Sequence, residues 1–187
     1  MVPIARTDTV VIGIDVGGPS RGLHAVALEA GRYRSQFATT DINAMVHWCL
    51  HAQQATVIAI DAPCRWSVDG RGRPCERALM QQRIWCFATP KEEAAVAHPK
   101  GYFNWMRYGM DLYEALAATH PVRDARTSSG VPHCFETFPH AITWHLRGGN
   151  AYARKKRQQR QALLESHGIS SPAITNIDTI DAALCAY

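Results

Sequence analysis

The chain has 187 residues, 47 % of them apolar and 19 % charged, with 13 Gly and 10 Pro. That balance fits one globular domain and excludes collagen-like, low-complexity and wholly disordered chains. The net charge of +4 comes from 20 bases against 16 acids, and only Lys91, Lys100, Lys155 and Lys156 among the bases are lysines; since guanidinium forks suit phosphate and stack on bases, the arginine bias leans towards a polyanionic partner.

Residues 9–16 (TVVIGIDV) are apolar on both faces until Asp15 and predict a strand buried on both sides of a sheet. After the Gly17-Gly18-Pro19-Ser20 turn, Gly22–Leu28 and Tyr33–Thr39 read as two further strands of an antiparallel meander. Asp41 caps a helix over Ile42–Gln53, and Thr56–Ile60 is another apolar strand, ending in Asp61 and parallel to the first. Residues 62–75 form a long Gly/Pro/Arg-rich loop before a helix over Glu76–Trp85, and loops of that length are usually functional. An irregular stretch over Thr89–Tyr102 precedes a helix over Phe103–Thr119, then a fifth strand over Val131–Phe138 containing Glu136. Helices over Ala141–Leu146, Tyr152–His167 and Ile177–Tyr187 complete a mixed, partly parallel sheet flanked by helices, as a single domain over 1–187.

No run approaches the roughly 18 apolar residues of a membrane span, and the first apolar stretch lacks a signal-peptide layout, so a cytoplasmic location is expected. The six cysteines contain no C-x-x-C pair. Cys64, Cys75 and Cys86 are evenly spaced, but thiolate metal sites draw their ligands in close pairs, so reduced thiols are the reading.

One internal echo carries chemistry. Val11-Ile12-Gly13-Ile14-Asp15 and Val57-Ile58-Ala59-Ile60-Asp61 are the same pentapeptide apart from Gly versus Ala. In equal register on parallel neighbours about 4.8 Å apart, both Asp side chains emerge on one face, with small Gly13 and Ala59 beneath them. The C-terminal Asp178-Thr179-Ile180-Asp181 places two more carboxylates at i and i+3 on one helical face, continued by small Ala182 and Cys185. Asp15, Asp61, Asp178 and Asp181 can therefore converge, with Glu136 as a fifth acid. Crowded carboxylates repel unless protonated or shared by cations. Carboxylate-held Mg²⁺ or Mn²⁺ in a two-metal site is the apparatus of phosphodiester hydrolysis. Each acid also has a structural reading, as a turn former, a helix cap or, for Glu136, a buried ion pair with an arginine.

Six bases between Arg147 and Arg160 (Arg147, Arg154, Lys155, Lys156, Arg157, Arg160) exceed the net charge of the whole chain. A basic helix of this kind can neutralise several phosphates. The loop and helix over 65–83 bring Arg65, Arg71, Arg73 and Arg77 beside Trp66 and Trp85, the pairing of forks and aromatic platforms that single-strand binders use. A solvated helix face and core tryptophans are the competing readings.

The opening VIGIDVGGPSRGLHAVAL is similar to the first hairpin of the RNase H-like superfamily, VIAIDAP resembles its second acidic strand, and IDTIDAALCA resembles the acidic final helix of Holliday-junction resolvases. Across GIDVGGPSRG, IDAPCRWS with RGRPCERAL, CFATP, GYFNWM, CFETFPHA and NIDTIDAALCA, the chain resembles the family known as domain of unknown function 429, predicted RNase H-like nucleases. The resemblance implies an α/β fold with sheet order 3-2-1-4-5, and it maps family function onto Asp15, Asp61 and the Asp178/Asp181 pair, with Glu136 nearby. Relatives continue beyond the last helix, which marks this chain as a short member or a truncated one. A metal-dependent nuclease acting on DNA or RNA is the expectation. An actin-like or sugar-kinase type nucleotide-binding protein is the enzyme alternative, although Pro19 interrupts its phosphate turn. A non-catalytic nucleic-acid-binding module is the other.

Overall fold

The structure is a computed structural model that describes residues 9–123 and 130–187. Five strands, β1 (Val10–Val16), β2 (Leu23–Glu29), β3 (Arg32–Thr39), β4 (Val57–Asp61) and β5 (His133–Glu136), form one sheet of order β3-β2-β1-β4-β5. β1–β3 run antiparallel, and β4 and β5 run parallel to β1. This is the RNase H-like arrangement expected.

The helices are α1 (Ile42–His47), α2 (Pro74–Gln81), α3 (Glu92–Val96), α4 (Asn104–Leu116), α5 (Pro139–Leu146), α6 (Lys156–Ser166) and α7 (Ile177–Ala186). Asp41 caps α1 by accepting from the Asn43 and Ala44 N–H groups, and a π turn over Trp48–Ala52 prolongs it. The stretch read as irregular holds α3, because Glu92 and Glu93 sit in its first turn, where they complement the helix dipole, and Pro99 follows as a stop. β5 is shorter than expected, since Pro139 opens α5 directly.

Period-2 alternation divides the core. Val10, Ile12, Ile14 and Val16 of β1, with Ile58 and Ile60 of β4, pack on one face against Met45, Leu112 and Leu116 of α1 and α4. Val26 and Leu28 pack on the other face against Ile180, Ala183 and Leu184 of α7, together with Leu164 of α6. The second face is where α7 crosses β1, and it does so with almost no clearance. A Cβ placed on Gly13 would stand 2.0 Å from the Ala182 carbonyl oxygen and 2.4 Å from the Ala186 nitrogen. The turn after β1 is equally tight: Gly18 has φ +83°, and its missing side chain leaves room for Trp105.

Gly13→Ala is therefore expected to push α7 off the sheet and to cost roughly 1–3 kcal/mol or more, the usual range for forced overpacking. Urea denaturation would check it; a midpoint unchanged from the parent would contradict the close approach.

Candidate active site

β1 and β4 pair in equal register, Val11 with Val57 through to Asp15 with Asp61. Paired residues of parallel strands share a face, so both carboxylates stand at the carboxyl ends of adjacent strands on the α7 side. Asp181 comes down from α7 and is 5 % exposed, while Asp178, one turn earlier, lies nearer the rim. Asn176 caps this helix by accepting from the Thr179 N–H, which sets the rotation that turns both acids inward.

The carboxylates of Asp15 and Asp61 make no hydrogen bond or ion pair with a described residue, and the cluster behaves as charges short of compensation. Burial, then repulsion from Asp181 and Asp178, pushes the Asp15 carboxyl from its ordinary range up to about 7, against the pull of Arg21 and Lys156. Burial and the neighbouring Asp15 and Asp181 push Asp61 well up. Burial also raises Asp181, with Arg160 opposing it.

Asp181 and Asp178 hold the cations of the site. Arg160 Nη1 lies 2.5 Å from Asp181 Oδ1, with both side chains buried, and Lys156 Nζ lies 4.0 Å from Oδ2. The Arg160 contact is off the hydrogen-bond direction, leaving Asp181 Oδ1 and Arg160 Nε as buried atoms without a hydrogen-bond partner. Arg21 donates to Asp178 Oδ1 at 2.8 Å, and His24 Nε2 stands 3.8 Å from Oδ2. Arg21 and His24 were not singled out from the sequence, yet the signal was there. A hairpin turning over 17–22 sets residue 24 opposite Asp15, on the same face.

Glu136 stands apart from the aspartates. It pairs with Ile60 of β4, on the opposite pleat from Asp61, and its two oxygens take Arg73 Nη1 and Nη2 at 2.5 Å each. The Cys64 N–H also donates to it at 3.1 Å. Arg73 Nε donates to Glu76 Oε1 at 2.8 Å, and Glu76 accepts in turn from the Thr89 N–H and hydroxyl. This buried network pins the loop over 62–75 to the end of β5. Glu136 thus follows the ion-pair reading raised above.

Two expected phosphate-binding arginines change position accordingly. Arg73 and Arg160 are buried, 6 % and 5 % exposed, because each is drawn inward by carboxylates that have no other cation as near among the described residues. Arg157 donates to the Thr175 carbonyl and Arg77 to the Gly72 carbonyl, while both keep exposed surface. Arg65, Arg71, Arg154, Lys155 and Lys156 are exposed. Trp85 is exposed and Trp66 half-buried. All six cysteines are free thiols.

The donor set suits a hard divalent cation: carboxylate oxygens only, two of them unpaired aspartates in register, and an orphaned oxygen on Asp181. The spacing is less advanced than the two-metal expectation. Among the described residues, no three His, Cys, Asp or Glu side chains are grouped closely enough to ligate one ion, and Arg160 stands against Asp181 instead.

The family model for DUF429, a protein of unknown function, matches residues 13–187, more than nine-tenths of the chain. The chain belongs to the DUF429 family. No curated protein matches it. Among solved structures, RuvC from Thermus thermophilus superimposes with a TM-score of 0.52 at 15 % identity, over 95 % of this chain and 91 % of that one. At that identity the likeness speaks for the fold. It agrees with the RNase H-like sheet and with the resolvase-like final helix seen in the sequence. No helix among the described residues is long and apolar enough to cross a membrane.

Because Asp15 in the folded chain keeps a proton that the unfolded carboxyl, near 3.8, has already released, stability in metal-free buffer should fall as pH rises from about 4 to 7. Each such proton contributes a slope of at most about 1.4 kcal/mol per pH unit, and Asp61 and Asp181 act in the same direction. Asp15→Asn should flatten the decline and raise stability at neutral pH, as read from denaturant midpoints across pH 4.5–8; an equally steep decline in the variant would refute the assignment. Arg73→Ala, which strands Glu76 and Glu136, should cost about 3–5 kcal/mol in the same assay.

Proposed function

We propose that the chain is a metal-dependent nuclease that hydrolyses phosphodiester bonds in nucleic acid, built as a single RNase H-like domain. The observation that supports this reading is the in-register pair Asp15 and Asp61, whose carboxylates have no hydrogen-bond or ion-pair partner among the described residues, facing the acids of α7. Asp15, Asp61 and Asp181, with Asp178 as a fourth or alternate ligand, would hold Mg²⁺ or Mn²⁺. When bound, such cations supply charge neutralisation at a phosphoryl group and a water of lowered pKa.

The chain's own residues do the rest. Asp15 and Asp61 present two fixed acceptor groups from rigid strands, so little is spent on ordering them. Arg160 and Lys156 stand by Asp181 as movable counter-charges, and withdrawing Arg160 frees the oxygen it faces. Exposed Arg65, Arg71, Arg77, Arg154 and Lys155 are suited to track a phosphate backbone beside the acids. Glu136, with both oxygens on Arg73, serves to hold the loop over 62–75 and is left out of the reacting groups. The kinase alternative draws no support from the described residues, which make one sheet with its flanking helices.

Digestion of single-stranded, duplex and branched DNA and RNA with Mn²⁺ or Mg²⁺ tests the proposal. Cleavage is expected with the metal and not with EDTA. Asp15→Asn and Asp61→Asn should each lose about 10³-fold or more in rate while keeping the parent's circular dichroism. A variant that cleaves as fast as the parent sinks the proposal. Salt-sensitive binding without any cleavage would favour the non-catalytic binding module.

A further inference from the structure

We infer that the cavity beside Asp61 receives one unstacked nucleobase of a polynucleotide strand, so that the strand is engaged single-stranded or locally unpaired. This rests on the nucleic-acid reading above and narrows it to a form of substrate. The cavity has a volume of about 570 Å³ and opens between α2, α4, α5 and the end of β4, with Asp61 in its wall. That is within the usual range for ligand sites and ample for a purine with its sugar.

Three features choose a base over other occupants. The first is the walls. Leu79, Ile142 and Leu146 line them together with the rings of Phe87, Trp105 and Phe138. Phe87 is 62 % exposed, and its ring contacts with Trp105 and Tyr102 are T-shaped at centroid distances of 6.2 and 6.4 Å, so neither ring is stacked parallel on it and much of its surface stays open. Aromatic faces of this kind are stacking platforms for bases of any sequence.

The second feature is a polar end. Glu136 lines the cavity with its carboxylate locked by Arg73, and Thr137 lies next to it. Oε2 accepts from both Arg73 and the Cys64 N–H, but Oε1 accepts from Arg73 Nη2 and keeps a second acceptor direction, which suits the amino edge of a base. An acyl chain or other wholly apolar ligand would leave that group facing hydrocarbon.

The third is continuity. The loop over 62–75 supplies Ala62, Pro63 and Arg73 to the wall, and the same loop carries exposed Arg65 and Arg71. A strand whose phosphate lies at the Asp15/Asp61 pair thus meets a slot for its base next to Asp61, walled by a loop that also carries exposed guanidinium groups.

Fluorescence anisotropy in EDTA tests this without depending on turnover. The probes are a labelled 12-nucleotide single strand of mixed sequence and a strand of equal length built of abasic residues. The parent should bind the natural strand about tenfold more tightly, within the range of one stacked base. Phe87→Ala, which removes an exposed ring, and Ala141→Trp, which fills the slot, should shrink that preference below twofold while leaving the abasic strand's affinity as it was. Equal affinities for the two strands in the parent, no binding of either, or a preference untouched in both variants would each overturn the inference. Saturation by free adenosine or cytidine monophosphate without a strand preference would overturn it too, in favour of a free nucleotide. Metal-dependent cleavage with no base preference removes the slot and keeps the nuclease. A base preference with no cleavage does the reverse.

Discussion

The contact between α7 and β1 governs the site. Because Gly13 lacks a Cβ, the backbone of α7 at Ala182 and Ala186 can lie directly on the strand. Only at that separation does a side chain as short as aspartate reach from the helix to the neighbourhood of Asp15 and Asp61. The same closeness excludes water from the acids, and burial heads the causes that raise all three of these carboxyls. Packing and electrostatics are therefore one feature: small residues in the interface create the space, and the acids are driven together in it. Alanines at 182 and 183 and Cys185 keep the helix surface smooth enough to sit down.

Charge is distributed by that crowding more than by the run of bases in the sequence. The inner side of α6 turns Lys156 and Arg160 to Asp181, and the hairpin between β1 and β2 turns Arg21 and His24 to Asp178. Among the described residues, the carboxylates of Asp15 and Asp61 receive no such partner. At the far end of the sheet, Arg73 is shared between Glu76 and Glu136, which converts a long loop into a fixed wall. A buried guanidinium between two carboxylates adds specificity of position more dependably than net stability. Of the bases expected to meet phosphate, Arg73 and Arg160 turn inward, while Arg65, Arg71 and Arg77 on the segment after β4 and Arg154, Lys155, Lys156 and Arg157 around the start of α6 stay exposed.

Much of this was legible in residue order. The echoed pentapeptide held the register of β1 on β4, because two buried strands of one pattern pair most favourably with like beside like. The i, i+3 spacing of Asp178 and Asp181 held their shared face, and Gly13 held the close approach. The exceptions depend on partners distant in sequence. Arg73 and Glu136 are 63 residues apart, and nothing local distinguishes an arginine that will be buried on a carboxylate from one that will stay in water. Arg160 belongs to a charge run that reads as a solvated face, until the helix is rotated by Leu163 and Leu164 packing inward and carries it down with them.

Sequence alone determined the antiparallel meander, the paired strand-end aspartates and the acidic last helix, since apolar periodicity and repeated local patterns are sufficient to specify them, and the full strand order was implied by the family resemblance. It also identified the family. The tertiary structure decided which charges face each other, which arginines are spent holding the molecule together, and that a cavity with aromatic walls opens beside Asp61. Those outcomes follow from the rotation of helices about their axes and the path of one loop, both set by how distant surfaces fill space together.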